Sequence, residues 1–216
     1  YYIKINDKGI TGDINSFLEE IDILIINIPP KIKSLPTENY SKKIQLLANK
    51  AEKRLIDKII FISSTSVYGS NQGKINSSTN PIPSSKNGVE ILQSEKIISK
   101  NKNCTIIRFG GLIGSNRHPV HSLTKKNEVL NPKAPINLIH LEDCIQIIYS
   151  IILKEVWGKI CLGVSPYHPT REDYYNTKCE ALGLKRINFV NDTTINKEVT
   201  DSKILKELNY NFIQLN

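Results

Sequence analysis

The segment KIIFISSTSVYG, residues 58–69, joins an apolar run to four consecutive hydroxyl residues. Its continuous, β-branched part is typical of a strand that is buried on both faces, as in a parallel sheet. The hydroxyl cluster, Ser63 to Ser66, has two interpretations. It forms either a solvated turn or the polar edge of a binding site, because ligands of open parallel sheets bind beyond the carboxyl ends of the strands.

Apolar runs of the same kind recur along the chain and alternate with helical patterns. Further strands are predicted for IDILIINIPP (21–30), CTIIRFGGLIG (104–114), NLIH (137–140), GKICLGV (158–164) and residues 187–190. Helices are predicted for residues 13–20, 38–55, 88–100, 141–154, 170–182 and 201–208, with Gly183 after the fifth. This alternation predicts an α/β fold, a Rossmann-type doubly wound parallel sheet with a small mixed C-terminal segment.

The length of 216 residues suits one domain, or a large domain that carries a small one. We expect residues 1–114 to form the Rossmann-type domain and residues 115–216 the small substrate-binding segment, with residues 137–164 returning to the core. No apolar run approaches the roughly 20 residues needed to cross a bilayer, so we expect a cytoplasmic protein without a membrane partner. The four cysteines are far apart, which predicts reduced, mostly buried thiols and no metal site.

The formal net charge of +8 would suit a nucleic-acid partner. However, the lysines are spread along the chain rather than gathered in one tract, and no helix-turn-helix, zinc-finger or RNP-type pattern is present. We therefore expect a small-molecule partner and no nucleic acid. Nucleic-acid binding is kept as the third alternative.

Three predicted strand ends carry small or polar residues that suit a ligand. Small residues let a ligand approach the backbone, and Ser or Thr hydroxyls donate and accept hydrogen bonds. The predicted cofactor contacts at these ends are Asn27, Ile28, Pro29, Ser63, Ser64, Arg108 and Gly110.

Arginine is scarce, with five among 29 basic residues; Arg117 lies in the segment SNRHP, and Arg171 follows HPT at the start of a predicted helix. Arg117 and Arg171 would offer a bidentate fork to phosphate or carboxylate, and a structural ion pair is the open alternative for both. His118 and His140 flank the same region and are either catalytic or structural. Asn137 is a further predicted substrate contact. Asp143 is either catalytic or placed to charge the start of a helix.

Together, FISSTSVYG, IIRFGGLIG and NLIHLEDCIQII resemble the extended short-chain dehydrogenase/reductase superfamily, also called the NAD-dependent epimerase/dehydratase family. The resemblance covers most of the chain. It implies a cofactor, NAD or NADP, whose ribose lies near Asn27 to Pro29, and a sugar nucleotide or similar substrate; a homodimer is also expected. It further implies that Ser64, four residues before Tyr68, occupies the catalytic Ser/Thr position and hydrogen-bonds the reacting oxygen of the substrate.

The chain departs from the superfamily pattern in two places. Aligning Glu95 with the glutamate that follows the YxxxK motif puts Asn87 at the tyrosine position and Ile91 at the lysine position. The glycine-rich phosphate loop is expected upstream of Tyr1. The leading hypothesis is an NAD(P)-dependent enzyme of hydride exchange, in which Ser64 polarises the substrate and His118 or His140 serves as acid/base. The alternative is a dinucleotide-binding sensor or regulatory protein without catalysis.

Overall fold

The computed structural model describes residues 1–30, 39–114, 117–191, 197–200 and 202–213. The strands are β1 (Ile3–Asn6), β2 (Gly9–Gly12), β3 (Ile23–Ile26), β4 (Lys58–Ser64), β5 (Lys74–Ile75), β6 (Cys104–Phe109), β7 (Gly111–Ile113), β8 (Val129–Leu130), β9 (Leu138–His140), β10 (Ile160–Gly163), β11 (Phe189–Val190) and β12 (Glu198–Val199). The helices are α1 (Ile14–Phe17), α2 (Tyr40–Lys53), α3 (Lys86–Ile98), α4 (Val120–Leu123), α5 (Leu141–Leu153), α6 (Arg171–Ala181) and α7 (Lys203–Glu207). A short 3-10 turn, Thr65–Val67, follows β4.

The central sheet of the described residues runs in the order β10-β6-β4-β3, and every neighbouring pair is parallel. β4 is an inner strand, hydrogen-bonded to β3 on one side and to β6 on the other. The predicted parallel sheet is therefore confirmed. Its carboxyl edge carries Ser63 and Ser64 directly beside Arg108 and Phe109.

Helices cover the sheet on both faces. Successive side chains of a strand point to opposite faces, so neighbouring residues of β4 pack against different helices. Ile59 and Phe61 pack in the hydrophobic cluster that contains residues of α2 and α3. Ile60, between them, packs in a second cluster with residues of α5 and α7. This two-sided burial confirms the predicted doubly wound arrangement.

The prediction that the strand in residues 21–30 is buried on both faces is wrong for β3. Leu24 and Ile26 are buried in the cluster that contains α2 and α3, but Ile25 on the opposite face is 45% exposed. β3 is the outermost strand of the described sheet, and the cluster on that face contains residues of β4, β6 and β10 instead.

The predicted third strand, residues 104–114, is broken at Gly110 as expected, and the two halves join different sheets. β6 stays in the central sheet, whereas β7 pairs in parallel with β9. A Cβ atom on Gly110 would lie 2.6 Å from the carbonyl oxygen of Asn137, so only glycine fits this crossing. The crossing brings Asn137 to the carboxyl edge of the sheet.

Several helix and strand boundaries differ from the prediction at their ends. α6 ends before Gly183, whose φ of +63° is the left-handed conformation expected there.

The antiparallel hairpin of β1 and β2 was not predicted; the Asn6 carboxamide closes it by accepting from the N–H groups of Lys8 and Gly9. Glu38 and Asp201, the first residues of two predicted helices, lie outside the described residues.

Candidate active site

A buried polar network lies directly beneath the sheet edge. Arg108 donates to both carboxylate oxygens of Glu95, through Nε at 3.0 Å and Nη2 at 2.6 Å. Ser63 donates its hydroxyl to the same carboxylate at 2.5 Å. Arg108 Nη1 donates to the Tyr68 hydroxyl at 2.6 Å, which ties β4, α3 and β6 to the turn after β4.

The network keeps its charges paired inside the protein. Burial alone would lower the pKa of Arg108, but the hydrogen bonds and charge of Glu95 outweigh it and the pKa is raised. Burial also raises the pKa of Tyr68, against the opposing influence of Arg108, so the phenol stays neutral. Tyr68 is 1% exposed and packs in the core.

Two predicted cofactor contacts, Ser63 and Arg108, therefore have their side chains engaged within the fold. Arg108 is 4% exposed and its guanidinium is bound by Glu95 and Tyr68. Both side chains lie on the α3 face of the sheet because they share a register position on neighbouring strands. We do not include them among the proposed cofactor contacts.

Ser64 is the next residue along β4, and its side chain makes a different set of contacts. Its Oγ accepts from the Ser66 N–H at 3.1 Å and so caps the 3-10 turn. Within the described residues, the Ser64 hydroxyl hydrogen is not donated to another protein atom. The hydroxyl therefore keeps one donor at the carboxyl edge of an inner strand.

The start of α3 lies tightly against the Ser64 turn. A Cβ atom on Gly88 would lie 2.2 Å from the Ser66 carbonyl oxygen, so this close approach requires glycine. Asn87 is half-buried beside it, while Ile91 is buried in the core cluster with α2. The two positions that a YxxxK pair would hold thus carry a neutral amide and an apolar side chain.

The neighbouring end of β3 presents Asn27 and Pro29 as exposed residues. Between them, the carbonyl oxygen of Ile28 accepts from the buried Tyr40 hydroxyl at 2.7 Å. This bond fixes the backbone that leaves β3. Asn27 therefore leaves the end of β3, the strand beside β4, on a backbone that is held in place.

Asn137 and Lys197 bring a distant segment to the same edge. The Asn137 side chain donates to the Lys197 carbonyl at 2.9 Å and accepts from the Val199 N–H at 2.8 Å. Lys197 in turn donates through Nζ to the carbonyl oxygens of Thr65 at 2.6 Å and Tyr68 at 3.0 Å. The Asn137 amide, predicted to contact substrate, thus holds backbone.

Sequence reasoning missed Lys197 because the contact spans 132 residues and the chain is rich in lysine. No local motif distinguishes it from its neighbours. Burial is the distinguishing property, and it lowers the pKa of Lys197 to about 8. The ammonium form still predominates at pH 7.

His118 lies in an aromatic cluster of the C-terminal segment. Its Nδ1 accepts from the Val120 N–H at 3.2 Å, which places the proton of the neutral ring on Nε2, 3.0 Å from the Tyr174 hydroxyl. Burial, with smaller effects of Lys178 and His121, lowers the pKa of His118 to about 4. The ring is therefore neutral at pH 7, with both nitrogens engaged.

His140 caps the start of α5, where its Nδ1 accepts from the Glu142 N–H at 3.3 Å. Its Nε2 atom makes no hydrogen bond to another described residue. Asp143, in the first turn of α5, is fully buried and accepts from the Tyr210 hydroxyl and the Ile213 N–H, each at 2.8 Å. It anchors the C-terminal segment, a role that the sequence did not indicate.

The two predicted arginine contacts differ in their surroundings. Arg117 is exposed, and its backbone forms an isolated antiparallel β-bridge with Gly114. Arg171 begins α6 and donates through Nη1 to the Leu130 carbonyl at 2.6 Å. The structure thus gathers Ser64, Gly110 and Asn137 at one edge, whereas His118 contacts Tyr174 and Tyr175 of the C-terminal aromatic cluster.

Further observations on the described residues concern the cysteines, possible metal ligands, membrane-spanning helices and the cavities. The four cysteines are free and buried, as predicted. Within the described ranges, His, Cys, Asp and Glu side chains do not form a cluster of three that would hold a metal ion. None of the helices there has the length and hydropathy needed to cross a membrane. A cavity of about 680 Å³ lies between the end of β10 and side chains from Val199 to Phe212. The predicted site residues are not among those that line it.

Comparison with known proteins identifies relatives of the chain, although no family model matches it. Protein YeeZ of Escherichia coli strain K12 is 32% identical over 199 residues, which cover 90% of this chain and 72% of YeeZ. The structure of UDP-glucuronic acid 4-epimerase from Bacillus cereus, solved in complex with NAD, matches with a TM-score of 0.74 at 21% identity. The match covers 94% of this chain and 73% of the epimerase chain. The dTDP-glucose 4,6-dehydratase DesIV of Streptomyces venezuelae, solved with NAD and TYD bound, has a TM-score of 0.76 at 18% identity, over 92% of this chain and 70% of that one.

Proposed function

The chain belongs to the same family as protein YeeZ, and on that premise we propose that it is an NAD(P)-dependent enzyme of the NAD-dependent epimerase/dehydratase superfamily that acts on a sugar nucleotide. The observation that carries the proposal is the Ser64 hydroxyl, which keeps a free donor at the carboxyl edge of an inner parallel strand. Such edges are where ligands of open α/β sheets bind.

The residues at this edge fit part of the cofactor. Asn27 is exposed at the end of β3, and its carboxamide offers both a donor and an acceptor to ribose hydroxyls. The Tyr40 hydroxyl donates to the Ile28 carbonyl and so holds the backbone of Ile28 and Pro29 at the end of the strand beside β4. We propose that Asn27, Ile28, Pro29 and Ser64 hold the nicotinamide half of the cofactor. When bound, that ring supplies the hydride acceptor.

The protein's own part in the reaction is to orient and polarise the substrate. We propose that Ser64 donates its hydroxyl hydrogen to the oxygen of the carbon that reacts, which stabilises negative charge developing there. Proton transfer would proceed without a YxxxK pair, because Asn87 and Ile91 carry no suitable group. Of the two predicted histidines, we favour His140 as a hydrogen-bond donor to substrate. Its Nδ1 accepts from the Glu142 N–H, so the neutral ring carries its proton on Nε2, which is uncommitted among the described residues, whereas both nitrogens of His118 are bonded.

Arg117 is kept as a proposed contact for the phosphates of the substrate, since its side chain is exposed and a guanidinium binds phosphate bidentately. The non-catalytic sensor is not favoured, because the named structural neighbours are an epimerase and a dehydratase.

The proposal is tested with purified full-length protein, NAD⁺ or NADP⁺, and a panel of UDP- and dTDP-linked sugars. Product formation is followed by NMR and chromatography. We expect turnover of at least one sugar nucleotide, and a kcat about 100- to 1000-fold lower in Ser64→Ala, because one donor to the developing charge is lost.

The matched control is Ser70→Ala, which removes an exposed hydroxyl from the same segment and should leave turnover unchanged. Dinucleotide binding without turnover on the whole panel would favour the sensor instead. Retention of more than half the turnover by Ser64→Ala would remove Ser64 from the mechanism.

A further inference from the structure

The turn that carries Ser64 has little internal structure to hold its shape. It is a single 3-10 turn, Thr65–Val67, closed by one hydrogen bond from the Tyr68 N–H to the Thr65 carbonyl at 3.1 Å. Because the Ser64 Oγ accepts from the Ser66 N–H, the conformation of this turn sets where the Ser64 hydroxyl points. A small shift of the turn would therefore move the proposed catalytic donor.

Lys197 supplies the missing restraint. Its ammonium bonds the carbonyl of Thr65, the first residue of the turn, and the carbonyl of Tyr68, the residue that follows it. Hydrogen bonds from a charged donor are stronger than those between neutral groups. One side chain thus ties together the two ends of the turn.

The lysine is itself held at its backbone. Asn137 bonds the Lys197 carbonyl and the Val199 N–H, so one carboxamide holds one edge of the segment. At the other edge, β12 pairs in parallel with β5, with further bonds from the N–H groups of Glu198 and Thr200 to the Gly73 and Ile75 carbonyls. The backbone that carries the lysine is therefore hydrogen-bonded along both edges.

We propose that Lys197 is a positioning residue of the candidate active site, one that holds the Ser64 turn in the shape that presents the Ser64 hydroxyl to substrate. The inference rests on the proposed function, since Lys197 acts through Ser64. It also assigns a role to residues 197–200, which contribute a side chain to the edge where β3, β4 and β6 end.

The test compares Lys197→Met, which keeps length and removes charge, with Lys74→Met, an exposed lysine on the paired strand β5. We expect kcat to fall about 10- to 100-fold in Lys197→Met, as for loss of hydrogen bonds to a charged group, with KM within twofold. Lys74→Met should match the wild type. In the Ser64→Ala background, Lys197→Met should lower kcat no further. Independent, multiplicative losses in the double variant would overturn the proposal.

A second measurement does not depend on turnover. Amide hydrogen exchange followed by mass spectrometry should be faster in the peptide covering residues 61–70 of Lys197→Met, and unchanged in α6. If the wild type turns over no sugar nucleotide, the proposed function fails, and this exchange measurement still decides whether Lys197 holds the turn. Unchanged exchange in residues 61–70 would overturn the inference. If Lys197→Met does not fold, Lys197→Gln, which keeps a donor without the charge, is measured in its place.

Discussion

Ser63 and Ser64 are consecutive residues of one strand, yet they belong to two regions with opposite character. Ser63 points to the α3 face, where its hydroxyl is bound to the Glu95 carboxylate inside a closed network. Ser64 points the other way, and its hydroxyl hydrogen has no acceptor among the described residues. The alternation of side chains along a strand therefore separates a group that stabilises the fold from one that is available for chemistry.

The same contrast separates Arg108 from Lys197. Both cations contact the segment after β4, but Arg108 binds a carboxylate and a phenol in the interior, whereas Lys197 binds two backbone carbonyls of the turn. The interior network fixes where the sheet edge lies. The lysine fixes the shape of the turn at that edge.

The largest effect is expected when the network loses its carboxylate charge. Glu95→Gln leaves the buried Arg108 cation without its counter-charge, so we expect the free energy of unfolding to fall by about 3–5 kcal/mol. Urea denaturation measures it. The control is Glu155→Gln, in an ion pair with Lys58 whose side chains are 65% and 34% exposed. That change should leave the free energy of unfolding nearly unchanged, because solvent screens an exposed ion pair. Equal losses would mean that burial does not distinguish the two pairs.

A smaller effect is expected from the two serines, and it sharpens the contrast between them. Ser63→Ala removes a hydrogen bond to a carboxylate and should lower the free energy of unfolding by about 1.5–3 kcal/mol. Ser64→Ala removes only a cap of a short turn and should cost about 0.5–1 kcal/mol. Thermal and urea unfolding of both variants check this order. A larger loss of stability from Ser64→Ala would place Ser64 with the structural group.

The smallest effect concerns His118, which was predicted for chemistry but has both nitrogens bonded, as network residues do. Its pKa is about 4 in the folded protein, below its ordinary value, so the unfolded chain binds the proton first. Stability should therefore be full above about pH 6.5 and fall as the pH drops toward 4. Allowing for solvent screening, we expect the loss between pH 7 and 5 to be about 1 kcal/mol smaller in His118→Asn than in the wild type.

Urea midpoints at pH 7 and pH 5 measure that difference, with the exposed His121→Asn as control. His121→Asn should keep most of the wild-type dependence on pH, because burial is the largest cause of the lowered pKa of His118 and His121 a smaller one. An unchanged dependence in His118→Asn would show that the ring titrates normally in the folded protein.

Much of the fold was predictable because its signals are local. β-Branched runs gave the parallel strands, and helical spacing placed α2, α3, α5 and α6 within a few residues of their observed bounds. Gly183 marked the end of α6 correctly. The exposure of Ile25 was not predictable, since it depends on which helices cover the outermost strand, and no local pattern reports that.

The candidate site was predictable only in outline. The place of Ser64 at the end of a strand follows from the change from apolar to hydroxyl residues in one short segment. The structural roles of Ser63, Arg108 and Asn137 did not follow, because the partners that define these roles, Glu95 and Lys197, lie at least 13 residues away along the chain. A polar residue at a strand end has the same appearance in the sequence whether its partner is another side chain or a ligand.

The sequence by itself determined that this chain forms a parallel α/β sheet with a hydroxyl-rich edge, since hydrophobic periodicity and short-range turn chemistry require nothing beyond neighbouring residues. Only the tertiary structure decided which hydroxyl at that edge is free. Ser63 is bound because α3 brings Glu95 to one face of β4, and Ser64 keeps a donor because none of the described residues on the other face accepts from it. The turn that follows Ser64 is bonded by Lys197, 132 residues beyond Thr65. Contacts across such distances depend on the path of the whole chain, and so does the chemistry proposed for them.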